Sequence, residues 1–242
     1  MSINIVLPVL NEERALEYGV TTTIGYLESS ELNNNYLITI ADNGSTDRTQ
    51  EIALELCKQY SQVNYFRVSR KGVGLAFREA IKNNTCDFIG YMDVDLATNL
   101  RHLNQVYSVL SNGETSIVVG SRLAVGAKVV GRTLKREITS RGLNFLLHLI
   151  LKVKFTDAMC GFKFYEKKIA EHLVEECGQT DGWFFCAEMM IQAEWDGICV
   201  HEIPVEWHDD PDSKVKVTKL SVNYMSEIIA LFKQKKIRRK RI

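Results

Sequence analysis

The chain has 242 residues, 45% of them hydrophobic and 25% charged, which excludes a disordered or fibrous polymer and allows one large domain with a sizeable core. Its 30 Lys and Arg balance its 30 Asp and Glu, but unevenly: residues 213–242 hold ten basic residues and one acid, which leaves residues 1–212 at a net charge of −9. An acidic body with a basic tail points to a polyanion, anionic membrane or nucleic acid, as the partner of the tail.

Ile3–Leu7 is a β-branched apolar run ending at Pro8 and reads as a strand; residues 12–29 are helix-permissive, and Tyr36–Ile40 is a second strand closed by ADNGSTD. Ser45 or Asp47 is positioned to cap a helix reaching about Tyr60. Val63–Val68, Phe88–Met92 and Ser116–Gly120 are predicted strands, separated by helices over Gly72–Asn84 and Leu100–Leu110. Beyond Val125 one long helix is expected over Gly131–Val153, then the irregular piece TDAMCGFKFY, helices over Lys167–Cys177 and Phe184–Trp195, a strand over Ile198–Trp207, and a last helix from about Lys219 to Lys235. Strands alternating with helices predict an α/β fold, a Rossmann-like, mostly parallel sheet with helices on both faces. Ligands of such sheets bind at the carboxyl ends of the strands. The loops to read are therefore those starting at Pro8, Asp42, Arg70, Asp93 and Ser121.

The longest nearly uncharged apolar stretch, Gly142 to Leu151, is shorter than the ~20 residues that span a bilayer. The amino terminus lacks a basic segment before its apolar run and reads as a strand rather than a signal peptide. Six cysteines without a C-x-x-C pair argue for reduced thiols in a cytoplasmic protein rather than a zinc site.

Asp93-Val94-Asp95 follows an apolar strand, and two carboxylates at i and i+2 just past a strand end can share Mg²⁺ or Mn²⁺ with diphosphate oxygens. Turn and capping acids are the plain alternative, as in Asp210-Pro211-Asp212. Asp42 to Asp47 suits either a nucleoside pocket, with Asp42 accepting from base or ribose, or a tight turn with an N-cap. Arg70-Lys71-Gly72-Val73-Gly74 is a candidate phosphate loop, but Phe77 breaks the dinucleotide fingerprint and there is no P-loop ending. Residues 128–154 carry seven Lys and Arg against one acid, interleaved with Leu134, Ile138, Phe145, Leu146, Leu149 and Ile150. Such a segment lies on an anionic membrane interface or packs as an ordinary amphipathic helix. The tail over 233–242 has seven basic residues in ten and no aromatic interleaving, which favours anionic lipid over nucleic acid. The five histidines form no ligand spacing.

VLPVLNEE, ADNGSTD, MDVDLAT, VGSR, SRGLNFLL, TDAMCGFKFY, DGWFFCAEMM and EIPVEWHDDPDSKV occur in this order. Together they resemble the inverting family 2 glycosyltransferases of GT-A fold, most closely those that act on polyprenyl and dolichyl phosphates. The CGFK block and the W-x5-S-K-V ending are closer to the dolichyl-phosphate β-glucosyltransferases than to the mannosyltransferases. The resemblance covers residues 3–217, implying a catalytic domain over 1–217 and a C-terminal amphipathic helix with basic tail over 218–242. It implies that Pro8, Leu10 and Glu12 line the base pocket with Asp42 beside them, and that Lys71 and Val94 also face the nucleotide sugar. It further implies that Asp93 and Asp95 hold the metal, and that Arg122 with Arg136 or Arg141 receives the lipid phosphate. Glu188 matches an acidic position near the acceptor, and Ser213 and Lys214 a loop closing over the diphosphate. Leu10 replaces a common aromatic, Ala97 a Gln found in mannosyltransferases, Val73 a second Lys and Cys186 an Asp, and the C-terminal membrane spans of some relatives are missing.

The activity so implied moves a hexose, from UDP-glucose by preference, onto a polyprenyl or dolichyl phosphate with inversion, at the cytoplasmic membrane face. A separate membrane subunit would replace the missing spans. The alternatives are a soluble family 2 enzyme acting on a saccharide or protein acceptor, and a non-catalytic nucleotide-sugar or nucleic-acid binding module. Nucleic acid is not the expected partner.

Overall fold

The computed structural model describes residues 1–178, 180–209 and 217–238, with side chains of the last helix described over 224–235. Strands Ile3–Val9 (β1), Tyr36–Asp42 (β2), Val63–Arg67 (β3), Phe88–Met92 (β4) and Ile117–Ser121 (β5) alternate with helices Leu16–Glu28 (α1), Thr49–Gln59 (α2), Val73–Lys82 (α3) and His102–Ser111 (α4). Then follow Lys128–Val130 (β6), Leu134–Leu151 (α5), Phe162–Glu166 (β7), Lys167–Glu176 (α6), Phe184–Trp195 (α7), His201–Pro204 (β8), Glu206–His208 (β9) and Val217–Arg238 (α8). The main sheet runs β3-β2-β1-β4-β7-β5-β8, and β6 pairs with β9 in a small parallel sheet. Among the described strands of this sheet only β7 runs antiparallel, against β4 and β5.

Both faces of the sheet are covered, which is why its strands read as continuous apolar runs. Ile3, Ile5, Leu7 and Val9 face a core shared with Val20 of α1, Leu56 of α2 and Leu103 of α4. Val6 points the other way, into a core with Phe77, Leu147, Leu173, Ile191 and Ile228 from α3, α5, α6, α7 and α8. The carboxy-terminal helix thus shares the core of the domain, through Tyr224, Ile228 and Leu231, rather than standing apart from it.

Three sequence expectations change. The segment expected to be irregular contains β7, whose Phe162 and Phe164 face one core and Tyr165 the other. Gly90 opposite makes room for it, since a Cβ there would lie 2.1 Å from Phe164 Cδ1. The single strand expected over Ile198–Trp207 is two, β8 in the main sheet and β9 paired with β6. The long helix starts at Leu134 rather than Gly131, because Gly131 has φ +78° and Thr133 caps the helix, its hydroxyl accepting the Arg136 N–H at 3.4 Å.

Strand order reverses between β1 and β4, and in open α/β sheets the ligand crevice lies at that switch point, beyond the carboxyl ends of the strands. Residues 10–12 and 93–95 leave the sheet there.

Helices α5 and α8 pack together and turn apolar stripes away from the core. On α5, Leu134, Ile138, Phe145 and Leu149 are 55–82% exposed. At 3.6 residues per turn they share an arc of about 60°, facing away from buried Leu147 and Leu151. Met225, Ile229 and Phe232 form a matching exposed stripe on α8. Exposed Lys135, Arg141, Lys152, Lys154 and Lys233 accompany them. Among the described residues no helix is long and apolar enough to cross a membrane.

Candidate active site

Asp93 and Asp95 stand at the carboxyl end of β4, Asp93 half-buried and Asp95 exposed. Burial, and next the charge of Asp95, push the Asp93 carboxyl up to about 7, against the opposing pull of Arg122 and Lys163. Glu12, from the loop after β1, adds its charge in the same direction. An anionic pair that raises its own proton affinity fits a divalent cation. Among the described residues no cluster of three or more His, Cys, Asp and Glu is placed to hold a metal ion. Two glycines shape this turn. A Cβ at Gly161 would lie 2.1 Å from Asp93 Oδ2, and one at Gly19 of α1 2.1 Å from the carbonyl oxygen of buried Val94.

The loops after β1 and β2 are tied together next to the pair. The Asn11 N–H donates to Ser45 Oγ (3.0 Å), the Thr46 N–H to Asn11 Oδ1 (2.7 Å) and the Glu12 N–H to Thr49 Oγ1 (2.9 Å). Asn11 adopts φ +57° to make this corner, with Pro8 and Leu10 half-buried before it. Asp42 is fully buried; Oδ1 accepts the N–H groups of Gly44 (3.0 Å) and Ser45 (2.7 Å), and Oδ2 accepts the Tyr65 hydroxyl (2.9 Å). Three of its roughly four acceptor positions are thus spent on shaping the loop. Asn43 Oδ1 accepts the Gly72 N–H, which ties the loop of exposed Lys71 to the same corner. Arg70 pairs with Asp181 at 2.6 Å, joining that loop to the segment ahead of α7.

Arg122 follows β5 and makes a two-pronged ion pair with Asp157, Nε to Oδ2 at 2.8 Å and Nη2 to Oδ1 at 2.9 Å. It also lies 4.8 Å from the Trp207 ring centroid. Burial works against the Asp157 carboxylate, but Arg122 outweighs it and holds the group at about 2. The surrounding loop is pinned by two more acids: Glu194 accepts the N–H groups of Lys154 (2.7 Å) and Phe155 (3.0 Å), and Glu202 that of Thr156 (2.8 Å). Arg136, in the first turn of α5, pairs with Asp209 at 3.3 Å. Arg132 is 8% exposed and sits 3.1 Å from Glu137. Arg141 is turned to the outer surface, where its Nε donates to Glu137 Oε1 (2.6 Å). Of the two arginines paired with Arg122 in the sequence reading, Arg136 is the one at the start of α5, beside the residue following β9.

Glu188 is placed elsewhere than at the acidic pair. It is buried on α7, accepts the Gly178 N–H at 2.8 Å, and lines a cavity of about 290 Å³ with Thr180, Glu227, Leu231 and Gln234. Burial raises its pKa, the Gly178 hydrogen bond opposes this, and Glu227 of α8 adds to the rise. Positions two apart on a helix point about 200° apart. Accordingly it is Cys186 that lies among Tyr91, Lys163 and Asp93. Ser213 and Lys214 lie outside the described residues. Two residues escaped the sequence reading. Lys163 is fully buried, donates to the Cys160 carbonyl and lies 5.7 Å from the Tyr91 ring centroid, in the core behind Asp93, where burial lowers its pKa. Its place in an alternating strand was the missed signal. Asp157 was visible only as part of a block, because its partner Arg122 is 35 positions away.

The profile of the family described as "Glycosyl transferase family 2" matches residues 4–174. The chain belongs to glycosyl transferase family 2. This glycosyltransferase is 31% identical over 239 residues to glycosyltransferase AglD of Haloferax volcanii, a match covering 98% of this chain but 38% of that protein. It is 26% identical over 251 residues to the dolichyl-phosphate beta-glucosyltransferase of Saccharomyces cerevisiae, covering 95% and 73%. The chain thus spans well under half of the archaeal relative and about three quarters of the yeast one. Among solved structures, glucosyl-3-phosphoglycerate synthase from Mycobacterium tuberculosis, in complex with Mn²⁺, UDP and glucosyl-3-phosphoglycerate, superposes with a TM-score of 0.66 at 17% identity, covering 91% of this chain and 75% of that one. The shared architecture is the GT-A fold expected from the sequence.

Proposed function

We propose that this glycosyltransferase moves glucose from UDP-glucose to a polyprenyl or dolichyl phosphate, with inversion, on the cytoplasmic face of an anionic membrane. The observation that carries this reading is one arrangement: an acidic pair at the sheet's switch point, charge-coupled to Arg122, whose charge is felt in turn by Arg132 ahead of a helix with an exposed apolar stripe. An anionic donor, an anionic acceptor head and an apolar acceptor tail each have a matching surface. The name of the yeast relative supports the acceptor and sugar, and the Mn²⁺ and UDP in the mycobacterial structure support the donor chemistry.

Asp93 and Asp95 would hold Mg²⁺ or Mn²⁺, which when bound offsets charge on the donor diphosphate. Pro8, Leu10, Glu12, Asp42, Lys71 and Val94 are assigned to the nucleotide side, and Ser213 and Lys214 to the departing diphosphate. An acceptor phosphate oxygen attacks the anomeric carbon opposite that diphosphate; the new C–O bond forms as the old one breaks, and configuration inverts. A phosphate monoester is largely ionised at neutral pH, with its second pKa near ~6, so no strong base is needed. That agrees with Glu188 lying against Gly178 and α8. Arg122 and Arg136, held by Asp157 and Asp209, lower the cost of bringing a second anion to an anionic donor. The stripes of α5 and α8, with their lysines and arginines, would rest on the lipid surface.

Thermal shift against UDP- and GDP-sugars with Mn²⁺ tests the donor assignment. UDP-glucose should stabilise the protein most, and Asp95→Ala should remove the effect; stabilisation by GDP-mannose alone would refute it.

A further inference from the structure

Buried polar atoms in folded proteins nearly always have partners. Among the described residues eight buried side-chain nitrogen and oxygen atoms do not, and four of them belong to Arg132 (Nε and Nη1), Ser140 (Oγ) and Asp209 (Oδ2) at or near the amino-terminal half of α5. Arg132 is the most costly case, a cation with more than nine-tenths of its side chain buried. Glu137 Oε2 is 3.1 Å from its Nε but off the N–H direction, so the contact is an ion pair without a hydrogen bond. The other oxygen of Glu137 is taken by Arg141.

Among the described residues the ion pairs around Arg132 leave a surplus cation. Arg122 is matched by Asp157 and Arg136 by Asp209, whereas Arg132 shares Glu137 with Arg141. Burial and then the charge of Arg122 both act against the Arg132 cation, and Glu137, Asp157 and Asp209 compensate in part. The first turn of the 18-residue helix α5 adds backbone N–H groups and the positive end of the helix dipole. A guanidinium needed only for packing would be replaceable by an apolar side chain. One that keeps two N–H groups unpaired beside a helix amino terminus is prepared for an anion.

We propose that Arg132, with the amino terminus of α5, binds the phosphate of the acceptor, a role the sequence had given to Arg122 with Arg136 or Arg141. On this assignment Arg122 and Arg136, each paired with its own carboxylate, assist from the walls of the site, and Arg132 supplies the net charge. A phosphate monoester brings about 1.5–2 negative charges and three acceptor oxygens, enough to satisfy both free N–H groups. The apolar stripe of α5 begins at Leu134, so a prenyl chain leaving this point passes directly onto the exposed face. The assignment rests on the polyprenyl-phosphate reading above.

The test is calorimetric titration of the full chain with farnesyl phosphate, inorganic phosphate and farnesol, followed by transfer assays. Arg132→Met should weaken farnesyl phosphate about 10- to 100-fold, the loss expected for charge-assisted hydrogen bonds. Arg132→Lys, which also serves if the methionine variant folds poorly, should recover part of it. UDP-glucose binding should be unchanged in both, and Lys58→Met, a surface charge removed on α2, should match wild type. Farnesyl phosphate binding equal to wild type in both Arg132 variants would overturn the assignment, as would equal losses for UDP-glucose. Wild-type affinity for farnesyl phosphate no greater than for farnesol would overturn it too. If farnesyl phosphate binds through Arg132 but never receives a sugar, the phosphate site stands and the transfer reading falls. Transfer indifferent to Arg132 overturns the residue assignment alone.

Discussion

Replacing Gly161 by alanine is expected to disable the acidic pair without touching either acid. The added Cβ would lie 2.1 Å from Asp93 Oδ2, 2.7 Å from Cγ and 2.8 Å from Oδ1, where ordinary contact begins at 3.4 Å. The backbone there has little freedom, because the next residue, Phe162, is paired with Met92 in the antiparallel β7–β4 ladder. The half-buried carboxylate must therefore move, by more than 1 Å. Misplacing a catalytic group by ~1 Å costs about 100-fold in rate, or about 2.7 kcal/mol of barrier. The fold should survive, since the displaced group can swing toward solvent. The assay is steady-state transfer from UDP-glucose across a Mn²⁺ titration, with a thermal melt alongside. We expect a fall in kcat of about 100-fold, a higher Mn²⁺ requirement and a nearly unchanged Tm. Wild-type turnover at ordinary Mn²⁺ would refute the idea that this glycine fixes the position of Asp93.

Asp157 titrates at about 2 instead of its ordinary 3.8, so its ion pair stabilises the fold above about pH 4 and the contribution drains away as pH falls toward 2. That shift corresponds to about 2–3 kcal/mol; Asp157→Asn should cost at least that much at pH 7 in urea melts, by leaving Arg122 unpaired, and should flatten the acid limb. An unchanged acid limb would contradict the pairing. Gly142 lies inside α5 with no atom within 4 Å of an added Cβ, so Gly142→Ala should stabilise the protein by about 1 kcal/mol in the same melts. Phe145→Glu and Ile229→Glu, on the exposed stripes of α5 and α8, should each reduce cosedimentation with phosphatidylserine vesicles about tenfold or more, a buried apolar side chain contributing about 1.5–3 kcal/mol. Equal sedimentation of wild type and both variants would remove the membrane from the account.

The parallel half of the sheet was legible because each strand is a short β-branched run buried on both faces, and the loops that matter follow such runs at Pro8, Asp42 and Asp93. β7 was not legible. Its run is short, it holds a lysine, and its antiparallel place between β4 and β5 is set by packing across Gly90 rather than by its own pattern. Missing it hid both Gly161 and Lys163 from the site. The acids at Asp93 and Asp95 could be read from position alone, since a pair one residue apart is local. The arginines could not be ranked in the same way. Whether Arg122, Arg132, Arg136 or Arg141 meets a phosphate depends on which carboxylates neutralise them, and Asp157 and Asp209 reach that place by tertiary folding. Glu188 illustrates the same limit: a helical position fixes which way a side chain points only once its neighbours are known, and here they are Gly178 and α8.

The most direct measurement is product analysis after incubating the protein with labelled UDP-glucose, a polyprenyl phosphate and Mn²⁺, beside the Asp95→Ala variant. A glucosyl polyprenyl phosphate of β configuration, formed by wild type and absent with the variant, is the predicted result. An α-configured product, label carried only to a saccharide or protein acceptor, or undiminished product from Asp95→Ala would contradict it.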